Sequence, residues 1–179
     1  MRKLTKHLLC VFTLIAMTAS VEQAVAQNPG KLGDNVVVHI ALVVRDINRS
    51  AKAYADLFGV EVPKISVTDP LEKTRLQFRG EPTQALAKLA FLRLENITIE
   101  LVEPVGGPST WREFLEMKGE GVHHIAFRVK GMEENIALLE KQGGKLIQKG
   151  DFIGGSYAYV DLTRQLGVIV ELLTSANKK

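Results

Sequence analysis

Four residues have the types and the spacing to hold a cation: His39, Glu100, His124 and Glu171. Each histidine opens a short apolar, β-branched run, His39-Ile40-Ala41-Leu42-Val43-Val44 and His124-Ile125-Ala126-Phe127-Arg128-Val129. Each glutamate sits inside one, Ile99-Glu100-Leu101-Val102 and Val170-Glu171-Leu172-Leu173. Runs of this kind read as strands. Side chains alternate faces along a strand, so His39, Ala41 and Val43 share one face, as do His124, Ala126 and Arg128. A carboxylate inside an apolar strand is costly to bury unless something pairs with it. Taken singly, such a glutamate usually faces solvent and such a histidine is usually a satisfied polar group. Here the pattern occurs twice, and one shared divalent ion explains all four residues. Two neutral imidazoles and two carboxylates leave that ion formally neutral, with positions open to water or substrate if it is six-coordinate. His123 has the opposite parity and is expected to be structural or exposed, and Glu103 falls on the other face from Glu100.

The elements that must position these residues form an internal repeat. Behind each histidine strand comes a helical pattern ending near glycine. Ile47 to Phe58 has Asp46 as N-cap and places Ala51, Tyr54, Ala55 and Phe58 on one face. Met132 to Gln142 does the same with Met132, Ile136 and Leu139. Gly59 and Gly144, each 20 residues past its histidine, are expected left-handed stops. Strand-like runs follow at Val60 to Val67, Leu86 to Leu94 and Ile97 to Val102. In the second half they recur at Lys145 to Lys149, Ser156 to Leu162 and Gly167 to Leu173. Each half is thus βαβββ. The expected fold is α+β: two tandem βαβββ modules, 36–104 and 121–174, forming a cupped mixed sheet around one metal site. A linker helix over 108–119 opens on a capping box at Thr110-Trp111-Arg112-Glu113, with Trp111, Phe114 and Leu115 pinning it to the body. Pro63 to Thr83 is polar and reads as a loop or lid.

Composition agrees with a globular domain: 179 residues, 46% hydrophobic and 24% charged. Arg2, Lys3 and Lys6 precede the apolar stretch Leu8 to Met17, which is shorter than the roughly 20 residues that span a bilayer. Ala24-Val25-Ala26 then matches a signal-peptidase site, so residues 1–26 are expected to be removed after Ala26 and the chain exported to a periplasm or secreted. No stable membrane anchor would remain, and the only cysteine, Cys10, would leave with the leader. A tail over 27–35 and another over 175–179 flank the domain. The formal net charge is +3, but beyond residue 26 the chain holds 20 basic and 19 acidic residues. Such balance speaks against nucleic-acid binding, which needs a basic patch on the folded domain.

HIALVVRD, IELVEP, GVHHIAFRV and GVIVELL together resemble the vicinal oxygen chelate superfamily, which includes glyoxalase I, methylmalonyl-CoA epimerase and the extradiol dioxygenases. The resemblance covers Val36 to Thr174. It implies paired βαβββ modules around one divalent ion (zinc, nickel, cobalt, manganese or iron), with His39, Glu100, His124 and Glu171 at the ligand positions. Retention of all four speaks against the metal-free, drug-sequestering branch. Ile99–Pro104 and Gly121–Val129 look most like methylmalonyl-CoA epimerase. The implied activity is that of an isomerase or lyase that removes a proton alpha to a carbonyl, the metal stabilising the enolate and Glu171, with Glu100, moving the proton. The small-molecule substrate would carry chelating oxygens, and the protein would pair as a homodimer. Epimerases of this kind resemble a two-base design whose second glutamate falls near Gln84 here, and an amide is no base. Glu81 and Glu72 are the nearby substitutes. Glyoxalase I works with two carboxylates in its metal shell, which Glu100 and Glu171 fit. Arg128 is expected in the cup, binding a substrate carboxylate or phosphate or else making an internal ion pair. Tyr157 and Tyr159 share a face and would line the cup or pack in the core. Two alternatives are a non-catalytic periplasmic binding protein, for a small molecule or a metal, and a ring-cleaving iron dioxygenase.

Overall fold

The computed structural model describes residues 31–33 and 36–175. The histidine strands, β1 (Val37–Val43) and β7 (Gly121–Arg128), lie antiparallel to each other at the centre of a single 10-stranded sheet. On either side the same motif repeats. β1 pairs in parallel with β6 (Thr98–Gly106), which pairs antiparallel with β5 (Ala85–Arg93), and β5 with β2 (Ser66–Val67). β7 pairs in parallel with β10 (Ile169–Ser175), β10 antiparallel with β9 (Gly155–Asp161), and β9 with β8 (Lys145–Phe152). A parallel pair needs a long crossover, and the helix in each module begins it: α1 (Ile47–Phe58) and α4 (Met132–Lys141). The expected α+β architecture of two βαβββ modules is the one observed.

Each helix covers the outer face of its own module. Ile47, Ala51 and Ala55 of α1 are buried against Val44, Ala90, Leu92 and Leu101. Ile136 and Leu139 of α4 pack on Val129, Ala158, Val160, Val170 and Leu172. Asp46 caps α1 by accepting from the Arg49 N–H, and Gly59 ends it at φ +66°. In the second module the left-handed residue is Gly143, at φ +87°, rather than Gly144. Gly144 is needed for closeness instead. A Cβ there would meet Val160 Cγ1 at 2.7 Å and the Leu139 carbonyl oxygen at 2.9 Å.

The third cluster lies inside the curl and involves the linker helix α3 (Thr110–Lys118). Trp111 is buried with Ala41, Val43, Ala87, Val102, Tyr159 and Ile169, and Phe114 and Leu115 pack on the same group. These residues come from the C-terminal halves of β1, β6 and β9 and the N-terminal parts of β5 and β10. The helix therefore plugs one end of the cup and leaves the other end open. Its cap is Ser109, whose side chain accepts from the Arg112 N–H; position N3 is therefore Arg112 rather than Glu113, and the expected capping box gives way to a simple N-cap.

Two strand expectations change as well. Only Ser66–Val67 of the run Val60 to Val67 is strand; Val60 and Val62 are exposed and Pro63 has no N–H to give a ladder. The polar stretch after it is structured. It forms α2 (Leu71–Thr74), β3 (Gln77–Phe78) and β4 (Glu81–Pro82), and β3 pairs with β8, at the far lip of the sheet from β2. The insert thus runs from one lip of the cup to the other. Arg75 Nε donates to Asp151 Oδ2 at 2.5 Å, and Arg79 to Glu113 Oε1 at 2.6 Å, tying the insert to β8 and α3.

Candidate metal centre

Strand register places the four expected ligands together. Glu100 lies across from Ala41, two residues beyond His39, and Glu171 lies across from Ala126, two residues beyond His124. The antiparallel pairing of β1 and β7 then brings the two half-sites face to face. His39 Nε2 is 2.8 Å from Glu171 Oε2, 3.1 Å from Glu100 Oε2 and 3.2 Å from His124 Nε2. His124 Nε2 lies 3.3 Å from each carboxylate. All four side chains are buried, and each offers one ligand atom to a common locus. Two atoms bound about 2.1 Å from one ion lie about 3.0–3.4 Å apart at octahedral or tetrahedral angles, and all of these separations but the 2.8 Å one fall in that range. Glu171 Oε2 is buried without a hydrogen bond even though His39 Nε2 is close. A buried carboxylate oxygen left in that state is costly, and a cation there satisfies it. The donor set fits a divalent ion.

Proton affinities follow from the same crowding. Burial alone would lower His39, but the carboxylates of Glu100 and Glu171 override it and raise the imidazole to about 10. His124 is raised by the same contest. Burial pushes Glu171 up, yet His124 and His39 hold it down at about 2, and Glu100 is lowered likewise. Without an ion the site is a cluster of close, opposed charges, in which protonated imidazoles face the carboxylates.

His123 was expected to turn away from the site, and the structure corrects this. Ala41 pairs with His124 but Leu42 pairs with Val122, so His123 is the extra residue of a β-bulge. The bulge breaks the alternation and leaves His123 buried on the same side, its Nδ1 2.9 Å from Nδ1 of His124. If Nε2 of His124 faces the ion, its Nδ1 carries the proton and donates to His123, which fixes ring orientation. Burial and the neighbouring His124 push His123 well below its ordinary value, so it stays neutral and can accept.

His39, Glu100 and Glu171 lie at the floor of a cavity of about 620 Å³, with His124 fully buried beneath them. Phe91 faces His39 edge-on at 6.4 Å between ring centroids. Tyr157 and Tyr159 line the cavity, as expected, and also belong to the core. Trp111 Nε1 donates to the Tyr159 hydroxyl at 3.2 Å, and Gln148 Nε2 to the Tyr157 hydroxyl at 3.3 Å. Arg128 also lines the cavity, but at its mouth, with an exposed side chain and no ion pair among the described residues. The expected buried guanidinium is thus corrected, because β7 ends at Arg128 and its side chain reaches solvent. Gln84, Glu81 and Glu72 are exposed, and none lines the cavity. The carboxylates that do, besides the two ligands, are Asp69 and Asp151.

A cupped sheet of paired βαβββ modules with two histidines and two glutamates at its centre defines a structural class. A family model described as Glyoxalase/Bleomycin resistance protein/Dioxygenase superfamily matches residues 38–160, and the chain belongs to that superfamily, the vicinal oxygen chelate proteins. Protein YqjC of Bacillus subtilis, itself uncharacterised, is 34% identical over 143 residues, 77% of this chain and 91% of its own length. The mitochondrial methylmalonyl-CoA epimerase of Dictyostelium discoideum is 26% identical over 147 residues, 80% of each chain. Among solved structures, the hypothetical protein BH1468 from Bacillus halodurans superposes with a TM-score of 0.57 at 26% identity, covering 80% of this chain and 96% of that one. The Mycobacterium tuberculosis methylmalonyl-CoA epimerase superposes at 0.54 and 20% identity, over 80% and 89%, which speaks to the fold. Relatives of named activity among these are epimerases, so the isomerase side of the expectation gains support and the lyase side none.

Proposed function

We propose that this protein is a divalent-metal-dependent isomerase, epimerase-like or glyoxalase-like, that moves a proton at a carbon alpha to a carbonyl. The observation that carries the reading is the convergence of four buried ligand atoms, one of them an unsatisfied carboxylate oxygen, on the floor of an open cavity. His39, His124, Glu100 and Glu171 would hold the ion, which as a Lewis acid favours charge developing on a chelated substrate oxygen. The chain's own residues do the rest. Glu171 is the residue assigned to proton transfer, because its Oε2 has no competing hydrogen bond and its strand leads towards the open mouth. Glu100 offers a second carboxylate from the opposite module. Trp111, Tyr159 and Phe91 keep the surroundings apolar, which strengthens every electrostatic contact made there. No acid stands at Gln84, so Glu100 and Glu171 would share both directions of transfer, which is the glyoxalase-like arrangement. The same absence favours the rival reading, a binding protein without turnover.

The test is deuterium uptake from solvent into a 2-methylmalonyl thioester or a hemithioacetal by the zinc- or cobalt-loaded protein. Glu171→Gln is expected to lower the exchange rate by at least about a hundredfold, the usual scale for a positioned acid–base group, while metal is still retained. Exchange by the variant at near wild-type rate would contradict the role, and no exchange by either protein would leave the binding reading. We also propose export. Residues 1–26 lie outside the described residues, and support comes from the basic start, the short apolar stretch and Ala24-Val25-Ala26. N-terminal sequencing of the chain recovered outside the cytoplasm is expected to begin at Gln27; a chain retaining Met1 would contradict cleavage.

A further inference from the structure

The cavity mouth carries two arginines that no described residue neutralises. Arg128 ends β7, and Arg93 ends β5 on the other side of the ligands. Both line the same cavity as His39, Glu100 and Glu171, both are exposed, and neither makes an ion pair among the described residues. The other charged residues of the lining are accounted for. Asp69 is paired with Lys73 at 3.0 Å, and Asp151 with Arg75 at 2.5 Å. Glu100 and Glu171 neutralise a divalent ion. Two positive charges therefore remain, and both lie at the open end.

Their distance from the floor follows from register. Arg93 is two residues beyond Phe91, which pairs with Glu100, and Arg128 is four residues beyond His124. At about 3.3 Å per residue these offsets are roughly 7 and 13 Å along the strands. Between floor and mouth the wall is largely apolar, with Phe91, Phe152, Tyr157 and Leu173 among its residues. From floor to mouth the cavity thus offers a metal site, an apolar span and a pair of guanidinium groups.

We infer that the ligand is an amphipathic acid: chelating oxygens at one end, an apolar body, and an anionic tail held by Arg93 and Arg128. This rests on the metal-dependent reading above and adds the substrate class to it. A carboxylate and a phosphate share the required chemistry, since each accepts paired N–H donors from a guanidinium. A carboxylate tail would mean a small free acid, and a phosphate tail a phosphate-bearing carrier.

Hydroxamates chelate divalent ions through two neighbouring oxygens, so they make suitable probes. The experiment titrates the zinc-loaded protein with three hydroxamates on a chain of about eight carbons, a length that spans these offsets. Their far ends are a carboxylate, a phosphonate and a neutral amide. At least one anionic probe is expected to bind about tenfold or more tighter than the amide. That advantage should disappear in Arg93→Gln/Arg128→Gln and shrink with added salt. Which anionic probe is preferred identifies the tail. Equal binding of all three, or an advantage that survives the double substitution, overturns the inference and leaves the metal site standing. Failure of all three to bind overturns the metal-dependent reading along with it.

Discussion

At the scale of single residues, the account turns on protons and an ion competing for one place. His39, raised to about 10, adds stability to the metal-free protein that is full below 6.5 and is lost as pH rises towards 10. Glu171, lowered to about 2, adds stability that is full above 4.5 and is lost as pH falls towards 2. The metal-free form should therefore melt at its highest temperature between about pH 4.5 and 6.5 as far as these groups decide it. An ion must expel the proton on His39, so the rise in melting temperature on adding zinc should grow from pH 6 to pH 9. A rise independent of pH would contradict the network. The four-residue cluster was legible in the sequence because strand alternation is a strong constraint. His39 and Glu100 each had to share a face with their repeat partners. His123 was not legible, because a bulge suspends that alternation and nothing in Gly121-Val122-His123-His124 announces one. Arg128 was read onto the right face, but its exposure depends on where β7 ends.

At the scale of elements, the linker helix decides which end of the cup is open. The two modules are related closely enough that the sheet alone would present two similar ends. Trp111 breaks that equivalence by entering one of them, with its indole against Tyr159 and nearly parallel to Tyr157 at 6.4 Å. Trp111→Ala should cost about 3–5 kcal/mol, measured by chemical denaturation, since it removes a large buried side chain and leaves a cavity. A loss below about 1 kcal/mol would mean that α3 is not part of the core. The helix, its apolar residues and the repeat were all visible in the sequence. The insert was not. Its helix α2 has four residues and its strands two each, too short to carry a periodic signal, and β3 is held by pairing with β8, about 70 residues away in the chain. Long-range pairing of that kind leaves no local trace.

At the scale of the whole molecule, neither module holds the site alone. Each contributes one histidine and one glutamate, and the shared sheet closes the set only because β1 and β7 pair at its centre. Metal binding should then stabilise the protein as one unit. The measurement that tests this most directly is the divalent metal content of the purified protein by elemental mass spectrometry, with His39→Ala from one module and Glu171→Ala from the other alongside. The account predicts close to one ion per chain in the parent, and loss of most of it in both variants, since each removes a ligand from the same ion. A parent that stays metal-free after reconstitution with zinc, nickel, cobalt, manganese and iron would contradict it, as would two variants that keep the parent's content.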